Sequence, residues 1–289
     1  MFLVTGATGA LGGKIVTQLR ERDWPVRMFV NLFSAYEELA YRGATPFIGD
    51  LRRERDIAKA CQGVRYVISA HTGDAEALDF RANIDLIDQA KAHNVEHFVY
   101  LSVLGCDRGF QDGPTFKARR EVEKYLAASG LNYTILRPPG LTSYLLPLAE
   151  RVRETGIYVL LGDPLNRISP VSADDLARLA IASVNCEGAR NQTLPVGGPE
   201  VLKRQDLPRI LGGIWQREVQ IINVPMWIFD LVRGGLGPIN PAAQRQVGTL
   251  RTLLTNEFFC TPAEISRLES IYQLKLESLE TYLRRYLSK

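Results

Sequence analysis

The stretch Leu3-Val4-Thr5-Gly6-Ala7-Thr8-Gly9-Ala10-Leu11-Gly12-Gly13-Lys14-Ile15-Val16 decides the fold. An apolar run leads into glycines at Gly6, Gly9 and Gly12, and an amphipathic helical pattern, Ala10–Arg22, follows at once. A strand that turns tightly into a helix needs a residue without Cβ at the turn. A second glycine lets a pyrophosphate approach the backbone, and a third lets the helix sit close on the sheet. The helix N-terminus then offers free N–H groups and a positive dipole end. Glycine triplets also occur in turns that bind nothing. Here the triplet stands between a β-rich run and an amphipathic segment, the context that marks a nucleotide loop.

Outward from that turn, short β-branched runs alternate with helical patterns, the trace of a parallel sheet with crossover helices. The strands read as Phe2–Thr5, Val26–Val30, Thr45–Ile48, Tyr66–Ser69, Phe98–Ser102 and Asn132–Arg137, the last stopped by Pro138-Pro139. The helices read as Ala10–Arg22, Ser34–Arg42, Glu54–Cys61, Ala77–His93 and Thr115–Ser129. Phe80, Ile84, Ile87 and Lys91 trace one stripe of the fourth helix, and Ala118, Val122, Tyr125 and Leu126 one face of the fifth. From Gly140 the pattern loosens: Ser143–Thr155 and Ala173–Asn185 read as helices, Tyr158–Leu161 and Gln192–Val196 as strands. After Gly197-Gly198-Pro199 there is little β signal. Thr261-Pro262-Ala263-Glu264 is a capping box with proline at the first helical position. No linker cuts the chain. The division expected is a nucleotide-binding unit over 1–198, with substrate-side insertions from about 140, and a helical extension over 199–289 packed on it.

A hydrophobic content of 46% and a charged content of 23% in 289 residues are ordinary for a globular protein that needs no staples. The net charge of +3 does not call for nucleic acid, and basic and acidic residues are interspersed. Cys61, Cys106, Cys186 and Cys260 lie far apart without ligand spacing, so free thiols in a reducing compartment are expected and no metal site. The first strand begins at Met1 or Phe2, so no signal or transit peptide is expected in this form. No apolar run approaches the roughly 18–20 residues of a membrane span. A cytoplasmic protein is expected, with attachment to a membrane surface open.

Thr5-Gly6-x-x-Gly9-x-x-Gly12 resembles the phosphate loop of extended and atypical short-chain dehydrogenase/reductases. Further stretches resemble that superfamily in matching order: Gly49-Asp50-Leu51, Tyr100-Leu101-Ser102-Val103-Leu104-Gly105, Lys117, Ser129-Gly130-Leu131-Asn132-Tyr133-Thr134 and Leu136-Arg137-Pro138. The resemblance is closest to the NmrA-like, isoflavone-reductase-like branch of cyanobacterial and plastid type, and runs over about residues 2–200. It implies a doubly wound, parallel-sheet α/β Rossmann fold with a helical C-terminal substrate lobe. It also implies that Thr5, Gly6, Gly9 and Gly12 hold a pyrophosphate, with the Ala10 and Leu11 amides beside it. Asp50 and Leu51 would meet adenine, although Asp50 equally suits a cap for the helix that follows. Ala70, His71 and Pro138 would line the cofactor, His71 being either an acid or an ordinary loop histidine. Asn83 would bridge strands through water or stand as a boundary polar residue.

A carboxylate at the end of the second strand would select NAD, and an arginine NADP. Val26-Arg27-Met28-Phe29-Val30-Asn31-Leu32-Phe33-Ser34 ends in neither. Asn31 and Ser34 can bond a 2′-phosphate without supplying charge, which leans the choice to NADP(H) over NAD(H). Dehydrogenases of the superfamily use Tyr-x-x-x-Lys, and here Lys117 matches the lysine but Gly113 occupies the tyrosine position. Lys117 is then either an acid/base or only a ligand of the nicotinamide ribose. The helix dipole and the neighbours Arg119 and Arg120 would disfavour its ammonium form. Ser102 would position the acceptor rather than attack it. The resemblance implies an NADP(H)-dependent reductase acting on an apolar, conjugated or quinone-like acceptor. The alternative it leaves is a non-catalytic dinucleotide-binding regulator or assembly factor. The apolar segment Pro225–Leu236 is expected in the core, with a lid, a protein contact or a membrane-surface helix as alternatives.

Overall fold

The computed structural model describes residues 1–110, 113–236 and 250–287, with side chains for all of these except 232–236. Seven parallel strands form the central sheet: β1 (Phe2–Thr5), β2 (Val26–Val30), β3 (Thr45–Ile48), β4 (Tyr66–Ser69), β5 (His97–Leu101), β6 (Tyr133–Arg137) and β9 (Gln192–Pro195). Their order is β3-β2-β1-β4-β5-β6-β9. Every residue of β1, β4 and β5 is buried, because helices cover both faces and leave no side for polar alternation. β3 is an edge and carries Pro46, whose missing N–H costs no ladder bond there.

One face is covered by α1 (Ala10–Arg20) and α7 (Ala173–Ala182), the other by α3 (Glu54–Cys61), α4 (Ala82–Ala92) and α5 (Pro114–Ala128). α1 carries two glycines that each cost about 1 kcal/mol of helix propensity relative to alanine. It buries Ile15, Val16 and Leu19, each worth about 1.5–3 kcal/mol, so packing outweighs propensity. Strand order reverses between β1 and β4, and at that point an open α/β sheet has a crevice above its strand ends.

All six early strands and five early helices occur within a few residues of their sequence bounds. Two helix faces differ. α4 buries Ala82, Asn83, Leu86, Ile87 and Ala90, with Phe80 and Ile84 only partly covered and Lys91 exposed. α5 buries Phe116, Arg119, Val122, Glu123 and Leu126, while Tyr125 points outward and donates to Asp88. The true faces include polar and small residues, which a search for apolar stripes discounts. The first two turns expected of the fourth helix are a π-helix, Ala75–Arg81.

A second lobe has its own core of Ala149, Val152, Tyr158, Leu160, Leu207, Leu211, Leu279, Tyr282, Leu283 and Leu287. It is built from α6 (Leu146–Thr155), β7 (Ile157–Leu161), α8 (Leu207–Trp215) and the last helix, Leu279–Leu287. Beyond residue 198 the chain is not purely helical: β11 (Gln220–Val224) pairs in parallel with β7, and Leu202–Lys203 pairs with Arg167–Ile168. Both strands are short and their partners lie far back in the chain, so local pattern hides them. Met226–Leu236 is helical, but Trp227 is 65% and Leu231 70% exposed, which corrects the expectation of core burial. Among the described residues no helix is long and apolar enough to cross a membrane.

The helix Pro262–Tyr272 starts on the expected capping box, Thr261 N–H donating to Glu264 and the Glu264 N–H to Thr261 Oγ1. Thr261→Ala is expected to lower stability by about 1 kcal/mol, read as a fall in urea midpoint at constant slope. An unchanged midpoint would show the cap to be idle.

Candidate functional site

The turn after β1 stands at the strand-order reversal. Gly6 has φ +66°, and a Cβ there would lie 2.6 Å from the Ala70 carbonyl oxygen. A Cβ on Gly12 would lie 2.0 Å from the Gly6 carbonyl oxygen, so the turn and the first turn of α1 are in backbone contact. Gly9 caps α1 in extended conformation, no side chain takes up the first N–H groups, and the first turn carries no acid. Thr8, Gly9 and Ala10 are exposed, and Leu11 is half-buried. This is an uncompensated positive helix end with bare amides, chemically suited to a diphosphate.

Beneath it lies a buried hydrogen-bond network. His71 Nε2 stands 3.0 Å from the Leu78 carbonyl oxygen, which only accepts, so Nε2 carries the proton. Nδ1 therefore accepts from Thr5 Oγ1 at 2.8 Å. Ser69 Oγ donates to Asn83 Oδ1 at 2.6 Å, and Asn83 Nδ2 donates to the Leu78 and Asp79 carbonyls. Asn83 thus takes up carbonyls of the π-helix rather than standing at a boundary. Burial pulls the His71 imidazole down to about 4. The ring is neutral and fully engaged, so His71 is a structural tie from β1 to the segment after β4 and not an acid. The Thr5 hydroxyl is likewise turned inward.

At the adenosine side, Asn31 Oδ1 accepts from the Phe33 N–H and the Asn31 carbonyl from the Ser34 N–H. Asp50 is already engaged within its own loop. Arg52 grips both its oxygens at 2.9 Å, and this pairing holds the Asp50 carboxyl below its ordinary range. Nor does Asp50 cap α3, whose N-cap is Arg53. Leu51 packs half-buried against the α3–α5 core.

At the other end Ser102 is buried, its N–H donating to the Leu136 carbonyl, while the Leu104 N–H donates to that of Pro138. Lys117 stands exposed in the first turn of α5. Its sequence neighbours Arg119 and Arg120 are each engaged by a carboxylate. Arg119 donates to the Leu101 carbonyl at 2.6 Å and pairs with Asp79, and Arg120 pairs with Glu123. Glu123 also takes a two-pronged contact from Arg137. Burial pushes the Asp79 carboxyl upward, opposed by Arg119 and by the Thr72 and Thr115 hydroxyls. Sequence reasoning missed this buried charge cluster. The spacing Arg119, Glu123 on the covered face of α5 was the available signal.

Gly113 is buried, and a Cβ there would stand 2.5 Å from Phe116 Cδ2. Phe116 in turn packs with Phe110 and Phe258, ring centroids 5.2–5.8 Å apart. The tyrosine position is therefore filled by an aromatic cluster, not left vacant. Among the described residues no cluster of histidine, cysteine and carboxylates could hold a metal.

Gly113→Tyr is expected to cost about 1–3 kcal/mol through displacement of Phe116, measured by denaturant melts. A melt equal to the parent would mean the ring yields freely. His71 makes stability pH-dependent. Its folded value lies below the ordinary 6.5, so its contribution is whole above that value and is lost as pH falls towards 4. At pH 5 the loss from His71 is about 2 kcal/mol, and His97, also drawn to about 4 by burial, adds in the same direction. Urea melts at pH 7.5 and 5 read it, and equal stability at both would refute the buried neutral ring.

A family model described as NAD(P)H-binding matches residues 6–187, more than half of the chain. The NAD(P)H azoreductase of Xenophilus azovorans is 30% identical over 240 residues, 82% of each protein. The photosystem II assembly factor Ycf39 of Cyanophora paradoxa is 25% identical over 311 residues, covering 99% of this chain and 92% of that one. The NADPH complex of the quinone oxidoreductase QOR2 from Escherichia coli shares the fold over the whole of both chains, with a TM-score of 0.82 at 21% identity. The chain belongs to the NAD(P)H-binding family, on the NmrA-like, atypical branch of the short-chain dehydrogenase/reductases.

Proposed function

We propose that the chain is an NADPH-preferring reductase that passes hydride to an apolar, conjugated or quinone-like acceptor. The carrying observation is the uncapped, acid-free start of α1 at the strand-order reversal, with no carboxylate at the end of β2 to claim a ribose. Gly6, Gly9, Ala10, Leu11 and Gly12 hold the diphosphate on backbone N–H groups. Asn31 and Ser34 take the adenosine ribose end, Leu51 gives adenine an apolar edge, and Ala70 and Pro138 line the path with backbone. Ser102 and Lys117 bound the nicotinamide end. The names of relatives support an acceptor of this class: an azoreductase by sequence and a quinone oxidoreductase by fold.

A bound reduced nicotinamide supplies hydride. The chain holds the two reactants together, an effect of proximity rather than of strong acid catalysis. Lys117 binds the ribose hydroxyls, and either its ammonium or water supplies the proton that balances the hydride. With four free cysteines and no spanning helix among the described residues, the working compartment is reducing and cytoplasmic.

A second reading has its own observation. Phe116 fills the tyrosine position, and Trp227 and Leu231 present an apolar helix face outward. Both suit a dinucleotide-binding assembly factor that docks a protein through 225–236, the role carried in the name of Ycf39.

Stopped-flow oxidation of bound NADPH against quinones, azo dyes and enones separates the two. Turnover of at least one class is expected, and Lys117→Met should cut it about tenfold while weakening NADPH about fivefold. Full turnover at unchanged affinity removes Lys117 from the site. Silence across the panel, with a stable partner co-purifying, selects the assembly role.

A further inference from the structure

A 2′-phosphate carries about −1.5 to −2 charges at neutral pH. Asn31 and Ser34, which stand where it is expected, are neutral. β2 and β3 lie side by side with Val30 against Ile48, and the Gly49 N–H donates to the Val30 carbonyl at 2.9 Å. The turn Asn31–Ser34 and the loop Asp50–Arg53 therefore leave the sheet as neighbours, so a cation on the second is placed to serve a phosphate held by the first.

Most of the nearby arginines are engaged. Arg27 donates to the Ala60 and Gln62 carbonyls, and Arg42 pairs with Glu38. Arg55 lies 3.7 Å from Asp56. Arg52 and Asp50 form a closed two-pronged pair on an exposed loop. Such a pair adds little stability, but it cancels the Asp50 charge beside the site. Arg53 is different. It is exposed at the start of α3, and the ion pair of Asp50 on this loop is made by Arg52, with Arg53 acting on that carboxylate only at longer range.

We infer that Arg53 supplies the positive charge that selects NADPH over NADH, from the loop after β3 rather than from the end of β2. Asp50 has the complementary positioning role of holding Arg52 aside in a pair of no net charge, so that one further guanidinium, that of Arg53, faces the phosphate. The inference rests on the NADPH-binding reading above and adds to it the residue that enforces the choice. Arginine suits the task, since its fork can donate two parallel hydrogen bonds to a phosphate.

Calorimetric titration of the full chain with NADPH, NADH and 2′,5′-ADP tests it without any acceptor. In the parent protein NADPH should bind at least about fivefold tighter than NADH, with the gap shrinking as salt rises from 50 to about 300 mM. Arg53→Gln should weaken NADPH and 2′,5′-ADP about five- to tenfold and leave NADH within about twofold. The inference is overturned by equal affinity for both coenzymes in the parent, or by an Arg53→Gln variant that weakens both alike or neither. Failure of the parent to bind either coenzyme overturns the NADPH-binding reading itself, and is told apart because it needs no variant.

Discussion

Two backbone contacts govern this molecule. Gly12 leaves no room for a methyl group against the Gly6 carbonyl, and Gly6 leaves none against the Ala70 carbonyl. Together they press α1 onto its own turn and the turn onto the continuation of β4. The first amides of α1 are thereby fixed at the place where the sheet changes direction, and no side chain covers them. Underneath, the Thr5–His71–Leu78 chain of hydrogen bonds ties the same two strand ends to the π-helix. The glycine turn and its support are therefore built from backbone and neutral side chains.

The opposite end is organised by charge. Asp79, Arg119, Glu123 and Arg137 are mostly buried, a costly arrangement unless each is paired and hydrogen-bonded. Their pairing joins the π-helix, the end of β5, α5 and β6. Lys117 stands two residues from Arg119, on the turn that this cluster anchors, while its own side chain reaches solvent. The lysine is thus exposed above a base that is held by paired charges. The Phe110–Phe116–Phe258 cluster seals the adjoining side with apolar rings, one of which comes from the far end of the chain.

How much of this was legible follows from where the information sits. β1, its glycine turn and the alternation up to β6 could be read directly, because a strand buried on both faces is a continuous apolar run and its crossover helix has a period. The capping box at Thr261 was equally plain, being local chemistry over four residues. Other features were not local. The faces of α4 and α5 include Asn83, Arg119 and Glu123, which look like surface residues until their partners on other elements are known. Asp50 read as an adenine acceptor or a helix cap, and its pairing with Arg52, two residues on, gives no sign in sequence. Phe116 gave no signal in the sequence, and only packing reveals that its ring stands against Gly113. β11 was invisible because its partner β7 lies some sixty residues earlier.

The second lobe carries a consequence for how the polypeptide acquires its shape. α6 and β7 precede β9, the last strand to join the main sheet, whereas α8, β11 and the helix Leu279–Leu287 follow it. Leu283 and Leu287 lie in the lobe interior beside Val152 and Leu211. During synthesis α6 and β7 emerge early with their apolar faces uncovered, and they wait for more than a hundred residues before that last helix arrives to shield them. Protection of this lobe is thus delayed until residues 279–287 have been made, and the interval is when the nascent polypeptide has most need of a chaperone.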